Sequence, residues 1–380
     1  LSNFIDSENN ILLNKKFNLG LDLQGGSYLL LEVDSQPVVK QKLQNKLISL
    51  RKALRDEKIK YKELKLTKKS INFKILEEDI QRFDDFFLDK KNLINVYYDR
   101  YRSHEMDYSI KDLGDLFPER DLVTITYTKF GLIEIKNSTL DQSLEIVRKR
   151  IDEVGTKDPT IIRRGNDRIL IELPGLDDPN RIKKLLGKTA NLTFRLVSDT
   201  EDNFGSELLS FENSENQLNV GKRVIVSGDN LTNAKPTLDN QTNQAVVSFT
   251  FDRVGAKKFG RTTTDNVGKQ LAIILDNKIV SAPVIREPIL SGTGQITGNF
   301  TFQSATDLAL LLRSGALPAP LTIIEERTVG PDLGEDSIKA GSISLAIGFL
   351  LVMIYMIFKY RQLGIIADLA LIINLILLIG

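Results

Sequence analysis

The chain has 380 residues, 42% of them hydrophobic, with 51 basic and 50 acidic side chains, one His, and neither Cys nor Trp. That length supports two or three folded units with cores of their own. Absence of Cys excludes disulfides, thiolate metal sites and cysteine nucleophiles, one His cannot build a multi-histidine centre, and a net charge of +1 argues against a nucleic-acid protein.

The segment Leu19-Gly-Leu-Asp-Leu-Gln-Gly-Gly26 opens the ordered pattern: adjacent glycines suit a tight backbone turn, and Asp22 can hydrogen-bond it. Residues 28–34 then read as a strand. Val39, Leu43, Leu47, Leu50 and Leu54 recur at helical intervals. Strands at 61–66 and 71–76, a helix at 77–89 and a strand near 93–98 follow, in the order βαββαβ. A second pass starts with strands at 122–128 and 132–136. It continues with a helix carrying Leu140, Leu144, Val147, Ile151 and Val154 on one face, and strands at 160–164 and 168–173. A helix at 179–186 and a strand at 191–197 complete it. Two ferredoxin-like units in tandem are the economical reading.

Residues 198–222 are rich in Ser, Asn, Asp and Glu and read as a linker or long loop. Strands at 223–226, 245–251, 271–275 and 279–284 with a helix at 253–266 form a separate α+β unit, Asp276-Asn-Lys278 marking a hairpin turn. Residues 304–314 read as an apolar helix, broken by Gly315 to Pro320 before a last strand at 321–327.

Residues 338–358 and 363–380 are two apolar runs, the first long enough for a bilayer core. They predict a transmembrane hairpin whose basic connector, residues 359–362, stays cytoplasmic and leaves residues 1–337 on the other face. The start at Leu1 and the apolar end read as a fragment of a longer protein, with a signal anchor expected upstream. Asp368 is an intramembrane carboxylate, read first as interfacial, and Asn374 as a helix–helix hydrogen-bond partner.

Charge is uneven. Residues 36–74 hold 13 bases against 3 acids, and residues 77–121 hold 13 acids against 7 bases. Anionic headgroups or nucleic acid could be drawn to the basic stripe, but complementarity between the two stretches and ordinary solvation are the preferred reading. Motifs for catalysis are wanting: there is no phosphate-binding loop, His104 stands alone in a charged loop, and the carboxylate pairs at 84–85 and 177–178 lie on polar surface. The chain reads as no enzyme, with no metal and no cofactor.

With the first motif stand Ile169-Leu-Ile-Glu-Leu-Pro-Gly175, Leu192-Thr-Phe-Arg-Leu196, Leu312-Arg-Ser-Gly-Ala-Leu-Pro-Ala-Pro320 and Thr328-Val-Gly-Pro-Asp-Leu-Gly-Glu-Asp-Ser-Ile338. In that order they closely resemble the SecD family, membrane subunits of the bacterial SecDF protein-export machinery. The family motif residues here are Gly20, Asp22, Gly25, Gly26, Pro174 and Gly175.

The resemblance implies an α+β fold: ferredoxin-like units with an inserted α+β head, then an α-helical transmembrane hairpin. Residues 1–35 would hold the N-terminal segment and first base strand, 36–121 an extra ferredoxin-like unit, 122–197 the base and 198–305 the head. Residues 306–337 would return to the base. Hinge candidates are Gly221, Gly315 and Pro318, although Leu317 to Pro320 could equally be a stiff connector.

By the same resemblance the protein sits in the bacterial inner membrane, residues 1–337 periplasmic. It captures and pulls preproteins emerging from SecYEG, using the proton gradient together with SecF, beside a YajC-type accessory subunit. The family's proton-relay Asp belongs to a later helix, which Asp368 does not match. An extended preprotein needs a sheet edge or apolar groove, and Phe249, Phe251 and Phe259 are candidates for it, or else for the head's own core. Two alternatives stand beside this reading: a resistance-nodulation-division transporter of a small molecule or lipid, and a binding or enzyme domain tethered by the hairpin.

Overall fold

The computed structural model describes residues 26–112, 120–156, 158–175, 178–198, 205–212, 214–239, 242–329 and 331–379. The chain begins with β1 (Gly26–Val33), α1 (Gln36–Asp56), β2 (Tyr61–Leu66), β3 (Ser70–Leu76) and α2 (Ile80–Phe87). Next come β4 (Tyr97–Tyr98), β5 (Ser103–His104), β6 (Met106–Asp112), β7 (Arg120–Tyr127) and the long helix α3 (Lys129–Val154). β8 (Thr160–Arg164), β9 (Arg168–Pro174) and α4 (Pro179–Gly187) lead to β10 (Leu192–Leu196), β11 (Ser206–Ser210), β12 (Gln217–Gly221) and β13 (Val226–Ser227). After β14 (Leu231–Leu238) and β15 (Ala245–Phe251) come α5 (Arg253–Asp265), β16 (Leu271–Leu275), β17 (Lys278–Ser281) and β18 (Thr293–Phe300). α6 (Phe302–Ser314), β19 (Leu321–Val329), α7 (Pro331–Tyr360) and α8 (Gln362–Ile379) finish the chain.

The architecture is mixed α/β with several sheets. One antiparallel sheet has the order β19-β1-β9-β8, and a second the order β2-β3-β7-β6. Both belong to one apolar core, which joins Leu29, Leu31 and Ile171 of the first sheet to Phe73, Phe83 and Ile125 around the second. This is the first body. Sheets β13-β10-β16-β17 and β14-β15-β18 share another core with α6, built on Phe194, Val247, Ile273 and Leu311. This is the second body, and the β11–β12 hairpin closes a small cluster of its own over Ala272 and Ile274.

Local chemistry sets the helix ends. Thr128 caps α3 by accepting from the Gly131 amide at 3.0 Å, and Gly155 ends it in a left-handed turn, φ 81°. Asp252 caps α5, accepting from Gly255 at 2.6 Å, and those amide bonds hold its carboxyl below the usual range. Thr301 caps α6 in the same way, accepting from Ser304.

Several expectations change. The strand expected at 132–136 is the beginning of α3, because the Thr128 cap starts the helix and the stripe of Ile135, Thr139 and Leu140 continues its spacing. Gly131 there leaves no room for a side chain: a Cβ would lie 2.1 Å from the Glu105 carbonyl oxygen. The strand at 122–128 is β7, which pairs with β3 and β6 and so belongs to the second sheet rather than to the unit after it. The strand at 191–197 is β10, which pairs with β16 in the second body. Around 93–98 only Tyr97–Tyr98 is extended.

The expected linker at 198–222 contains the β11–β12 hairpin, since Leu209, Leu218 and Val220 alternate inward. Residues 306–314, expected to return to the base, are the C-terminal part of α6 in the second core. β14 and β18 carry no strong strand signal. β14 holds Pro236, which is tolerated because β14 is an edge strand.

α7 contains one stretch long and apolar enough to cross a membrane, Lys339–Tyr360, with mean hydropathy 2.3. Arg361 alone separates it from α8, with φ 50°. Gly364 lets the two helices approach: a Cβ there would lie 2.2 Å from the Met356 carbonyl oxygen.

Candidate functional site

Three of the sequence motifs meet at one end of the first sheet. β1 runs between β9 and β19, so Gly26 is opposite Pro174 on one side and Val329 on the other. Its φ of 133° is a backbone conformation that favours glycine, and Gly175 turns the chain at φ 63°. Ser27 is fully buried beside Thr328, their hydroxyls 3.5 Å apart. Two residues beyond Val329 the helix α7 begins, so this junction is the root of the apolar helix. Gly20, Asp22 and Gly25 lie outside the described residues.

The chain crosses between the two bodies twice, outward through residues 188–191 and back through residues 315–320. The passes bond each other, the Leu317 amide donating to the Thr189 carbonyl at 2.8 Å. Arg150 of α3 is 1% exposed and holds both. Its guanidinium donates to the carbonyls of Leu185 (2.8 Å), Lys188, Thr189 (3.2 Å) and Gly315 (3.3 Å). Burial pulls this group down to about 10, opposed by the charge of Asp276, so it remains a cation at neutral pH.

Asp276, at the tip of the β16–β17 hairpin, grips the outward pass from the other side. It accepts from the Thr189 hydroxyl and from the amides of Ala190 (3.1 Å) and Asn191 (2.8 Å). Ala190 is thereby held at φ 61°. Two flanking ion pairs, Arg313–Glu153 and Arg181–Asp307 (2.8 Å), tie α6 to α3 and α4.

Among the hinge candidates, Gly315 is on the returning pass at φ 90°, and Pro318 follows between the buried Leu317 and Ala319. The connector is anchored along its length. Gly221 is at the end of β12 within the second body, away from the crossing. Phe249, Phe251 and Phe259 are 2%, 5% and 2% exposed and pack around Phe194 with ring centroids 5.3 to 5.8 Å from it. They form the core of the second body rather than a receptor surface, because β15 turns Phe249 and Phe251 inward and α5 buries Phe259 against them. Asp368 is 5% exposed on α8, and Asn374 is exposed.

The expectation missed Arg150 and Asp276. A signal for the first existed: Arg150 interrupts the apolar stripe of α3 between Val147 and Ile151, where a charge is retained only if the fold supplies partners. Asp276 reads in sequence as turn chemistry alone, and its long-range bonds are invisible there.

Comparison with known proteins agrees with this geometry. Residues 11–37 match the SecD/SecF GG motif, residues 140–199 the N-terminal P1 domain of protein translocase subunit SecDF, and residues 206–319 the SecDF P1 head subdomain. The chain is 41% identical over 383 residues to protein translocase subunit SecD of Rickettsia conorii, covering 98% of this chain and 70% of that one. It is 42% identical over 375 residues to SecD of Acetobacter pasteurianus, covering 96% and 69%. The crystal structure of SecDF in its super-membrane-facing form aligns with TM-score 0.50 and 26% identity over 93% of this chain, which spans 37% of that one. A small-molecule transporter is not favoured by these matches. The chain belongs to the SecD family of protein translocase subunits.

Proposed function

We propose that this chain works on the extracytoplasmic face of the bacterial inner membrane, receiving preproteins as they leave the SecYEG channel. The first body serves as base and the second as head. The base sheet supports a ferredoxin-like reading, because β1, α3, β8, β9, α4 and β19 follow βαββαβ order and the strands lie as β19-β1-β9-β8. The second sheet with α1 and α2 is an insertion into it. α7 and α8 form a transmembrane hairpin with Arg361 on the cytoplasmic side, consistent with a short basic turn.

The observation that carries this reading is the junction of Gly26, Pro174 and Val329 at the root of α7. It couples the sheet of the base mechanically to a membrane helix. The head is joined to that base by two anchored passes, so force applied to the head reaches the membrane through one rigid route. The protein has no catalytic centre of its own in this reading. It acts with SecF and a YajC-type subunit, driven by the proton gradient.

The test is complementation. A bacterium depleted of its SecD and supplied with the full-length protein should recover normal processing of exported precursors in pulse-chase labelling. A photo-reactive residue at the exposed Asn299 should crosslink to a preprotein stalled in SecYEG. Failure of the supplied protein to restore precursor processing, with no crosslink from the head surface, would overturn the proposal.

A further inference from the structure

The insertion carries an unneutralised basic cleft. Its volume is about 780 Å³, between the start of α1, the β2–β3 turn and the first turns of α3. Lys40, Lys68, Lys69 and Lys136 line it, over a floor that includes Val39 and Leu132. Three of the lysines are exposed and Lys136 is half-buried. One acid, Asp34, lines the same cleft, and its Oδ1 accepts from the Gln36 amide at 3.0 Å. The first turn of α1 contributes no acidic residue.

Among its described residues, the acidic stretch 77–121 supplies no ion-pair partner to these lysines. Among the described residues, Lys46–Glu105 (2.6 Å) is the ion pair that joins the two stretches, while Lys65 and Lys74 turn to Glu63 within their own. Lys40, Lys68, Lys69 and Lys136 have no ion-pair partner among the described residues. Four ammonium groups around an apolar floor raise the local positive potential and favour an anionic occupant.

We propose that this cleft binds an extended acidic peptide segment, carboxylates against the lysine rim and apolar side chains on the floor. Position decides between peptide and lipid. The cleft is at the Asp34 end of β1, whose opposite end, Gly26, is beside the root of α7. Eight extended residues separate the ends by about 25 Å. Electrostatic attraction to headgroups fades within about 8 Å at physiological salt. The Asp34 amide also donates to the Pro320 carbonyl at 3.0 Å, which puts the cleft against the returning pass between the two bodies. An occupant there would touch the insertion and α3, one hydrogen bond from the crossing.

The experiment uses the full-length protein in nanodiscs of neutral lipid and a short fluorescent peptide of alternating glutamate and valine. Fluorescence anisotropy should show saturable binding that weakens with salt, and a lysine-for-glutamate peptide should not bind. The triple variant Lys40→Glu/Lys68→Glu/Lys69→Glu should lose at least about tenfold in affinity. Arg51→Glu/Lys52→Glu, exposed on the same helix outside the cleft, should bind as the parent does. Equal affinity for both peptides, an unchanged triple variant, or an equal loss in the control variant would overturn the proposal. So would displacement of the peptide by anionic phospholipid vesicles, which would make the occupant a lipid surface.

Discussion

Arg150, on the central helix of the first body, donates to the carbonyl of Gly315, the residue that ends α6 in the second. The same guanidinium reaches the end of α4 through Leu185 and the outward pass through Lys188 and Thr189, so one side chain sets the spacing of both crossings. Removing it as Arg150→Met leaves buried carbonyls without a donor, at a cost of about 3 kcal/mol. The expected outcome is faster amide exchange at residues 188–191 and 315–320, with the β1–β9 strand pair still protected. Exchange unchanged at the two passes would show that Asp276 and the flanking ion pairs hold the crossing unaided.

Phe249→Ala separates a core from a receptor. The ring is 2% exposed and packs on Phe194, Phe251 and Phe259, so its loss should cost about 3–5 kcal/mol. Thermal unfolding followed by proteolysis should show the second body digesting first, the first body remaining intact. A receptor residue would instead lower preprotein crosslinking with no change in melting.

The sequence made individual elements legible and concealed how they associate. The 3–4 spacing of Leu43, Leu47, Leu50 and Leu54 and the alternation in β15 report local burial, which periodicity encodes directly. Which sheet a strand joins depends on partners far along the chain. β1 pairs with β19 some three hundred residues later, and β7 and β10 look alike in sequence yet enter different bodies. The motif residues Gly26 and Pro174 were readable as motifs, and their adjacency was not. Arg150 leaves one trace, its break in the apolar stripe of α3, whereas Asp276 bonds far along the chain to backbone amides and the Thr189 hydroxyl, which no local pattern reports.

Alkaline pH should loosen the insertion. Tyr98 is pushed up to about 12 by burial and by Glu105, and Tyr108 is raised by burial and its bond to Asp84. A phenol that holds its proton more tightly when folded stabilises the fold below the unfolded value near 10, and that contribution is lost as pH rises above it. Unfolding monitored by tyrosine ionisation should therefore show the first body weakening above pH about 10. Tyr108→Phe should remove part of that dependence along with the 2.5 Å hydrogen bond to Asp84. Tyr127→Phe should behave differently: its hydroxyl is buried without a hydrogen-bond partner among the described residues, so deleting it should leave the protein as stable or more so. Marked destabilisation by Tyr127→Phe would show that the hydroxyl has a partner in solution.

Gly26→Ala tests whether the motif junction couples sheet to membrane helix. Gly26 adopts φ 133° between Pro174 and Val329, a conformation that an L side chain reaches with strain of about 1–3 kcal/mol. The strain falls at the end of β1, beyond the apolar core that Leu29 and Leu31 maintain, so the first body should still fold and melt within a few degrees of the parent. What should change is the end pairing that delivers β19 into α7. A cysteine pair at Ser27 and Thr328, whose hydroxyls are 3.5 Å apart, reports that pairing through its rate of disulfide formation. In Gly26→Ala that rate should fall, and precursor processing in the depleted strain should slow with it. A variant that keeps the crosslinking rate but loses export would place the role of this glycine in an intermolecular contact, and one that keeps both would remove the junction from the coupling route.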